Sequence, residues 1–482
     1  MKRKVLITGS TGYIGRRLKD LLLHRSDLDI RLLVRNKSKV RGSVLQKVTV
    51  VEGDTFNPAS LLEALQGIDT AYYLIHSMGS GSDFEERDRV SAGNFRDACI
   101  EAGVKRVIYL GGLGVKETAS KHLLSRIETG EILSARPDLL QTIWFRAGII
   151  IGSGSASFEI VRNLVQKLPM MITPKWVNTR TQPIAINDVL DYLADAIDIA
   201  LTGDLIVDIG TEAITFRGMM KATAKVMKLK RVLFPVPVLS PKLSSYWLIL
   251  FTPVPFQMAR ALVEGLKSET VVLNDHARTY FPRITPMTFE ASIQSALEEM
   301  EHHHVLSRWS DSSAGDVTDL RNQDGISNAI YRHRRVFSLD GLPRERIFRS
   351  ICSLGGETGW FVLNRLWQIR GLIDKLAGGY GLNRGRRDSR HLRVGDALDF
   401  WKVADLQENR RLLLVAQMKL PGKAWLEFDI QPHQLIQTAH FHPRGILGRL
   451  YWITMLPVHQ IIFGKLGKRI IRYAAELPPL TD

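Results

Sequence analysis

The stretch from Lys4 to Gly15 constrains this chain more than any other, because it sets a strand, a glycine turn and a helix start within a dozen residues. Val5, Leu6 and Ile7 form the short, wholly apolar run of a strand buried on both faces of a parallel sheet. Gly9 and Gly12 then demand a tight turn, and the spacing predicts a helix from about Tyr13. With no side chains at those glycines, the backbone around Ser10, Thr11, Tyr13 and Ile14 can approach a pyrophosphate. The free N–H groups and dipole of a helix start favour negative charge there, and Gly15 lets helix and sheet pack closely.

Three glycines alone often make only a turn, so the context carries the reading. A second apolar run at residues 30–34 follows after a helix-length segment, and a ribose-reading residue is expected roughly 20 positions past the glycines. That position holds Arg35 rather than an acidic residue. Asp or Glu would bind both ribose hydroxyls and repel a 2′-phosphate, whereas Arg35 with Lys37 and Lys39 supplies charge and donors for one. The expected cofactor is therefore NADP(H); the alternative is a solvated basic loop.

The GxxGxxG spacing, the strand end at Leu33, Val34 and Arg35, and the pair Gly53 and Asp54 resemble an atypical short-chain dehydrogenase/reductase of the NmrA-like branch, over roughly the first half of the chain. The resemblance implies an NAD(P)-binding Rossmann domain in which Asp54 reaches the adenine, with Thr55 beside it.

At 482 residues the chain suggests two or three domains, each able to bury a core. Only Cys99 and Cys352 occur, far apart in sequence, which argues against a disulfide framework or a cysteine-rich metal site and for a reducing compartment. The cytoplasm is the expected location, since residues 1–4 run directly into the first strand with no apolar signal core. The net charge of +16 suits an anionic cofactor, a phosphorylated substrate, a membrane surface or nucleic acid. Nucleic acid is not expected as a partner, because no binding motif, zinc spacing or aromatic RNA signature accompanies the basic residues.

Short apolar runs at residues 48–51, 70–75, 106–110 and 142–145 continue the alternation with helical stretches, as in a doubly wound α/β sheet. Ligands of such sheets bind beyond the carboxyl ends of strands, which points to His76, Ser77 and Met78 and to the glycines Gly111, Gly112 and Gly114. Those two loops are expected to flank a nicotinamide; the alternative is ordinary strand-to-helix turns. The resembled enzymes place Ser after the fifth strand and Tyr-x-x-x-Lys on the next helix. Here Gly111 and Gly112 stand in the loop, and His122 and Arg126 fill the four-residue spacing on one helix face. His122 is a candidate proton donor and Arg126 a holder of a ribose hydroxyl or phosphate. A structural pairing of His122 with Glu128, or cofactor binding without turnover, stays open.

Further on, Ser155 and Ser157 are candidates to cap a helix or to touch a ligand, and residues 183–189 read as a late strand and cap closing the first domain. The proline-rich residues 233–256 are too short and interrupted to span a bilayer and read as a cover over a substrate cleft. Glu301 and the histidines 302–304 carry no metal reading, because consecutive helical residues point apart. Residues 309–316 look like a linker.

After that linker, residues 331–337 read as a strand, 343–352 as a short helix and 360–376 as a longer one. Four closely spaced strands follow at 399–403, 411–418, 424–430 and 435–441, then a long helix from about Ile446. This order resembles the helix-grip fold of START-like and polyketide-cyclase-like proteins over residues 328–475, which implies an apolar ligand site, the alternative being a filled core. Along 424–430, Leu426, Phe428 and Ile430 mark the core face, opposite Trp425, Glu427 and Asp429. The final helix is expected to be buried, with a basic end from Lys465 to Arg472 that leaves room for peripheral membrane contact at the inner face.

The organisation read from the residues is thus a doubly wound α/β Rossmann domain over residues 1–310, including the proline-rich substrate-side segment, and an α+β helix-grip domain over 317–475. The function it implies is an NADP(H)-dependent reductase or isomerase of a hydrophobic, lipid-like substrate. The alternative is a non-catalytic NADP(H)-responsive sensor or hydrophobic-ligand binder.

Overall fold

The computed structural model describes residues 2–37, 40, 42–76, 84–236, 264–265, 268–301, 326, 329–355, 359–362, 367, 369–372, 374, 392–418 and 420–477. Two compact units separate: Met1–Thr252 with Phe256–Ser313, and Pro253–Pro255 with Ala314–Asp482.

In the first unit, β1 (Arg3–Ile7), α1 (Tyr13–Leu22), β2 (Leu28–Val34), β3 (Thr49–Glu52), α2 (Pro58–Leu65), β4 (Thr70–Tyr73), α3 (Phe84–Glu101), β5 (Arg106–Gly112), α4 (Lys121–Leu133) and β6 (Gln141–Ala147) alternate as expected. A later strand, β7 (Leu205–Ile209), completes a seven-stranded parallel sheet in the order β7-β6-β5-β4-β1-β2-β3. Helix cover on both faces explains the unbroken apolar runs. Val5 and Ile7 pack with Leu18 and Leu22 of α1. Leu6, between them, packs with Leu61 and Leu65 of α2 and Phe95 of α3 on the other face. Each such side chain, fully withdrawn from water, contributes roughly 1.5–3 kcal/mol.

Beyond β6, Ser155 caps α5 (Ala156–Lys167) by accepting from the Phe158 N–H at 3.2 Å, so this serine serves the helix. The late segment at 184–187 forms a two-residue strand, Ile184–Ala185, leading into α6 (Ile186–Asp195). Of the proline-rich segment only residues up to 236 fall among those described, and there Val232–Val236 pairs in parallel with Met170–Pro174. The histidines 302–304 and the linker at 309–316 lie outside the described residues.

The unit is closed by a return segment far along the chain. Gln182 N–H donates to the Thr270 carbonyl, and Thr270 N–H donates back to Arg180. Three carboxylates, the buried Asp208 and Asp188 and the exposed Glu212, receive backbone groups of the segment: Asp208 accepts from Leu273 N–H (2.8 Å), Asp188 from Met287 N–H (2.9 Å) and Glu212 from Phe289 N–H (3.0 Å). Arg17 of α1 meets Glu299 of α8 at 2.6 Å, with α7 (Phe216–Val226) and α8 (Phe289–Glu301) packed together.

Asp208 is fully buried and also takes the Arg146 guanidinium at 2.6 Å across the β6–β7 pair. Arg146→Leu leaves that carboxylate buried without its cation, and is expected to cost about 3–5 kcal/mol of stability. Chemical denaturation of the full chain measures it; a loss below about 1 kcal/mol would show the Leu273 bond to be sufficient.

In the second unit, β8 (Tyr331–Ser338), α9 (Arg344–Cys352), β9 (Ala397–Leu398), β10 (Trp401–Gln407), β11 (Arg411–Ala416), β12 (Gly422–Ile430), β13 (Gln434–Pro443) and α10 (Gly445–Glu476) follow in order. Its six strands make an antiparallel sheet ordered β8-β13-β12-β11-β10-β9. The strand expected from Asp399 starts at Trp401, because Asp399 sits at φ +53° in a turn and its carboxylate accepts from the Trp360 indole N–H at 2.8 Å. For the same reason Trp360 is not the start of a helix: it is fixed in a turn, and helical residues are described only at 367, 369–372 and 374.

Leu426, Phe428 and Ile430 are buried in the main core, as their alternation predicts. The opposite face is not simply polar, since Trp425 joins Leu413, Val415 and Ala329 in a smaller cluster. Beside it, Glu427 binds Arg411 at 2.6 Å and His440 at 3.0 Å. The final helix is only half as buried as expected. Ile462, Phe463, Leu466 and Ile470 lie in the core, whereas Ile446, Leu447, Leu450 and Ile453 are more than half exposed. α10 is long and apolar enough by composition to cross a membrane.

Candidate cofactor and active site

The glycine turn follows β1, His76 follows β4 and Gly112 ends β5, so three neighbouring strands deliver them to one carboxyl edge of the sheet. Gly9 has φ +64°, and a Cβ there would stand 2.4 Å from the Leu74 carbonyl oxygen. Gly12 N–H donates to the Gly9 carbonyl at 2.9 Å, and Gly15 passes so close that a Cβ would lie 2.3 Å from that same oxygen. The turn therefore opens straight into α1, whose first residue is Tyr13. The Thr11 carbonyl is held by Arg16 Nε at 2.8 Å, and Ser10 is buried with its hydroxyl unpartnered.

The two sides of this cradle differ. Arg35 and Lys37 are exposed at the end of β2, with Lys37 N–H bonded to Glu52 at 3.2 Å. Asp54 is half-buried, and its Oδ1 accepts from the Phe56 N–H at 3.1 Å. Two expected contact residues turn inward instead. The Tyr13 hydroxyl points to the Gly152 backbone, where a Cβ would lie 2.6 Å from it, and Arg17 lies over its ring. Thr55 is buried and accepts from the Ser91 hydroxyl at 2.7 Å. Ile14 packs against the core, so Tyr13, Ile14 and Thr55 offer a nucleotide backbone groups rather than side chains.

At β5 the glycines make room for neighbours. A Cβ on Gly111 would collide with the Trp144 indole at 2.6 Å, and one on Gly112 with Leu123 at 2.6 Å, with Arg126 Cδ next at 3.4 Å. These positions thus let α4 and Trp144 close over the strand end. Ser120 caps α4 by accepting from Leu123 N–H. His122, in its first turn, stacks on Phe84, with centroids 4.4 Å apart and planes 12° apart. The alternative pairing with Glu128 is not formed, because Glu128 binds Arg89 at 2.9 Å.

Beside them the expected His76 meets two residues that the residue pattern did not single out, Asp88 and Ser125. His76 Nδ1 is 2.9 Å from Asp88 Oδ2, and the Ser125 hydroxyl donates to the same oxygen at 2.9 Å. Asp88 is 3% exposed. With Nδ1 donating to Asp88, His76 presents Nε2 as an acceptor, and that atom is buried without a partner. Burial and then the Arg126 charge push His76 down to about 4, against the opposing pull of Asp88. Burial and Arg126 also lower His122, whose Nδ1 is likewise buried and unpartnered. Both imidazoles are therefore neutral at neutral pH, one an oriented acceptor, the other able to donate or accept. Ser77, Met78 and Lys39 lie outside the described residues.

Residues 9–137 match a family described as NAD(P)H-binding, and residues 326–466 match one described as a protein of unknown function (DUF2867). A 2-alkyl-3-oxoalkanoate reductase of Stenotrophomonas maltophilia is 24% identical over 187 residues, which are 34% of this chain and 55% of that protein. A UDP-glucose 4-epimerase of Vibrio cholerae is 24% identical over 223 residues, 41% of this chain and 67% of that one. The chain thus spans about half the length of the first relative and two thirds of the second. The structure of a triphenylmethane reductase from Citrobacter sp. superposes with a TM-score of 0.50 at 20% identity, covering 61% of this chain and 99% of that one. The glycine cradle, the seven-stranded parallel sheet and these matches together make the N-terminal unit an NAD(P)-binding Rossmann-like domain with the fold of that reductase.

Proposed function

We propose that the chain is an NADPH-dependent reductase of a hydrophobic carbonyl compound, with the convergence of His122, Arg126, His76, Asp88 and Ser125 beside the glycine cradle as the observation that carries it. The turn from Gly9 to Gly15 and the start of α1 hold the pyrophosphate, Asp54 the adenine, and Arg35 with Lys37 the 2′-phosphate. A nicotinamide held there would supply hydride chemistry for a carbonyl substrate. The chain's part is to donate to the carbonyl oxygen from His122 and to hold charge with Arg126. His76, its ring fixed by Asp88, accepts from a hydroxyl or amide. The name of the alkanoate reductase relative, with its alkyl-substituted keto acid, supports an apolar substrate. The strand order and closing helix of the second unit support a START-like helix grip that shelters such a molecule.

Cofactor choice is tested by titrating NADPH and NADH into the full chain. Wild type is expected to favour NADPH by about tenfold or more, and Arg35→Asp to abolish or invert that preference. An unchanged preference in the variant places the 2′-phosphate elsewhere.

One observation favours a second reading, an NADP(H)-responsive sensor. The resembled enzymes carry Ser and Tyr-x-x-x-Lys where this chain has Gly111, Gly112, His122 and Arg126, and Trp144 and Leu123 fill the space over the two glycines. Persistent failure to oxidise NADPH with aldehydes, ketones and quinones, alongside tight binding, would select it.

A further inference from the structure

The second unit holds a polar set in a place where packing alone calls for apolar residues. Gln437 of β13 is 1% exposed, yet neither its amide nitrogen nor its oxygen has a hydrogen-bond partner. The register sets Gln437 opposite Phe428 on one side and Arg335 on the other, which puts it on the core face with Leu435 and Ala439. His333 pairs with Ala439 and so stands one step along the same face. Across from it α10 brings His459, whose ring lies within 14° of parallel, centroids 6.4 Å apart. The Nδ1 atoms of both histidines are buried and unpartnered.

Leaving one buried amide and two imidazole nitrogens unsatisfied is costly, and leucine or phenylalanine at the same positions would avoid the cost. Such a cluster is retained where something else completes its bonds. Gln437 offers two N–H donors, and each imidazole can add one. Burial keeps His459 neutral, pushed down to about 4, and burial with the Arg335 guanidinium lowers His333. The missing partner thus offers acceptors to these N–H groups and a donor to the Gln437 oxygen, as a carboxyl group does in its acid form. Around the set stand Phe463, 6.0 Å from His333 and 4.8 Å from His459, and Trp452, stacked on Phe441. These walls suit an apolar body.

We infer that the second unit binds an amphiphilic carboxylic acid, its carboxyl group received by Gln437, His333 and His459 and its tail by the aromatic residues between the sheet and α10. This deepens the sheltering role proposed for that unit without depending on turnover.

The test uses the full chain and the fluorescent fatty acid cis-parinaric acid, displaced by palmitate, methyl palmitate or hexadecanol. Palmitate is expected to displace it about tenfold better than the ester or alcohol, and Gln437→Leu to remove that advantage. His333→Phe, which keeps an aromatic ring, is expected to weaken palmitate about fivefold or more. NADPH titration of the same variants should be unchanged, so a failure here is separable from a failure of the cofactor reading. No displacement by palmitate, equal displacement by all three compounds, or Gln437→Leu that is more stable with unchanged palmitate affinity would each overturn the inference, the last pointing to buried water.

Discussion

Gly9→Ala is expected to remove measurable NADP(H) binding and to destabilise the first unit by about 3 kcal/mol, because two independent penalties fall on one methyl group. The backbone at Gly9 has φ +64°, a region that alanine enters at a cost, and the new Cβ would stand 2.4 Å from the Leu74 carbonyl oxygen. That neighbour is backbone just past β4 and cannot swing aside like a side chain. The Gly9 carbonyl also accepts from Gly12 and abuts Gly15, so any shift reaches the first turn of α1. Gly103→Ala is the control. It shares a positive φ, +72°, but has open space around it, and should cost about 1 kcal/mol with normal binding. Equal cofactor affinity in Gly9→Ala and wild type would remove the glycine turn from the nucleotide site.

His122→Gln is expected to lower turnover about 10²-fold with little change in NADPH affinity, once a substrate is in hand. The direction of its pH dependence follows from its surroundings. Burial and Arg126 hold His122 below its ordinary 6.5, so at neutral pH the protonated form is scarce. If a full proton is delivered, wild-type turnover should rise as pH falls through that lowered value, and the rise should vanish in the glutamine variant. Arg126→Leu should raise the pH at which the change occurs and weaken binding, since it removes a nearby positive charge. Full activity in His122→Gln would remove this histidine from the proton transfer.

The sheet and the glycine cradle were legible because parallel strands buried on both faces leave unbroken apolar runs, and because tight turns and close helix approach admit few residues other than glycine. The helix start at Ser155 was legible for a similar local reason. Asp88 was not. It stands in the run Glu85, Glu86, Arg87, Asp88, Arg89, which reads as a solvated face, and only the packing of α3 against α4 turns it inward to His76 and Ser125. The side-chain directions of Tyr13 and Thr55 were not legible, because the motif fixes their backbone position while distant partners, Gly152 and Ser91, set where the side chains go. The exposed half of α10 was hidden by its composition, which is apolar along both the covered and the uncovered parts.

The return segment has a consequence for how the first unit is made. Asp188, Asp208 and Glu212 receive backbone groups from Leu273, Met287 and Phe289, and Arg17 receives Glu299, a partner 282 residues downstream. A chain emerging from the ribosome can pair β1 to β6 early, but those carboxylates cannot receive the backbone groups of Leu273, Met287 and Phe289 until the segment near residue 300 has left the exit tunnel. Contacts this far apart in sequence form only after long loops close, which slows the last step of folding. The first unit therefore completes only as the second begins to appear, and a nascent chain stopped near residue 250 would hold a formed sheet with an open side.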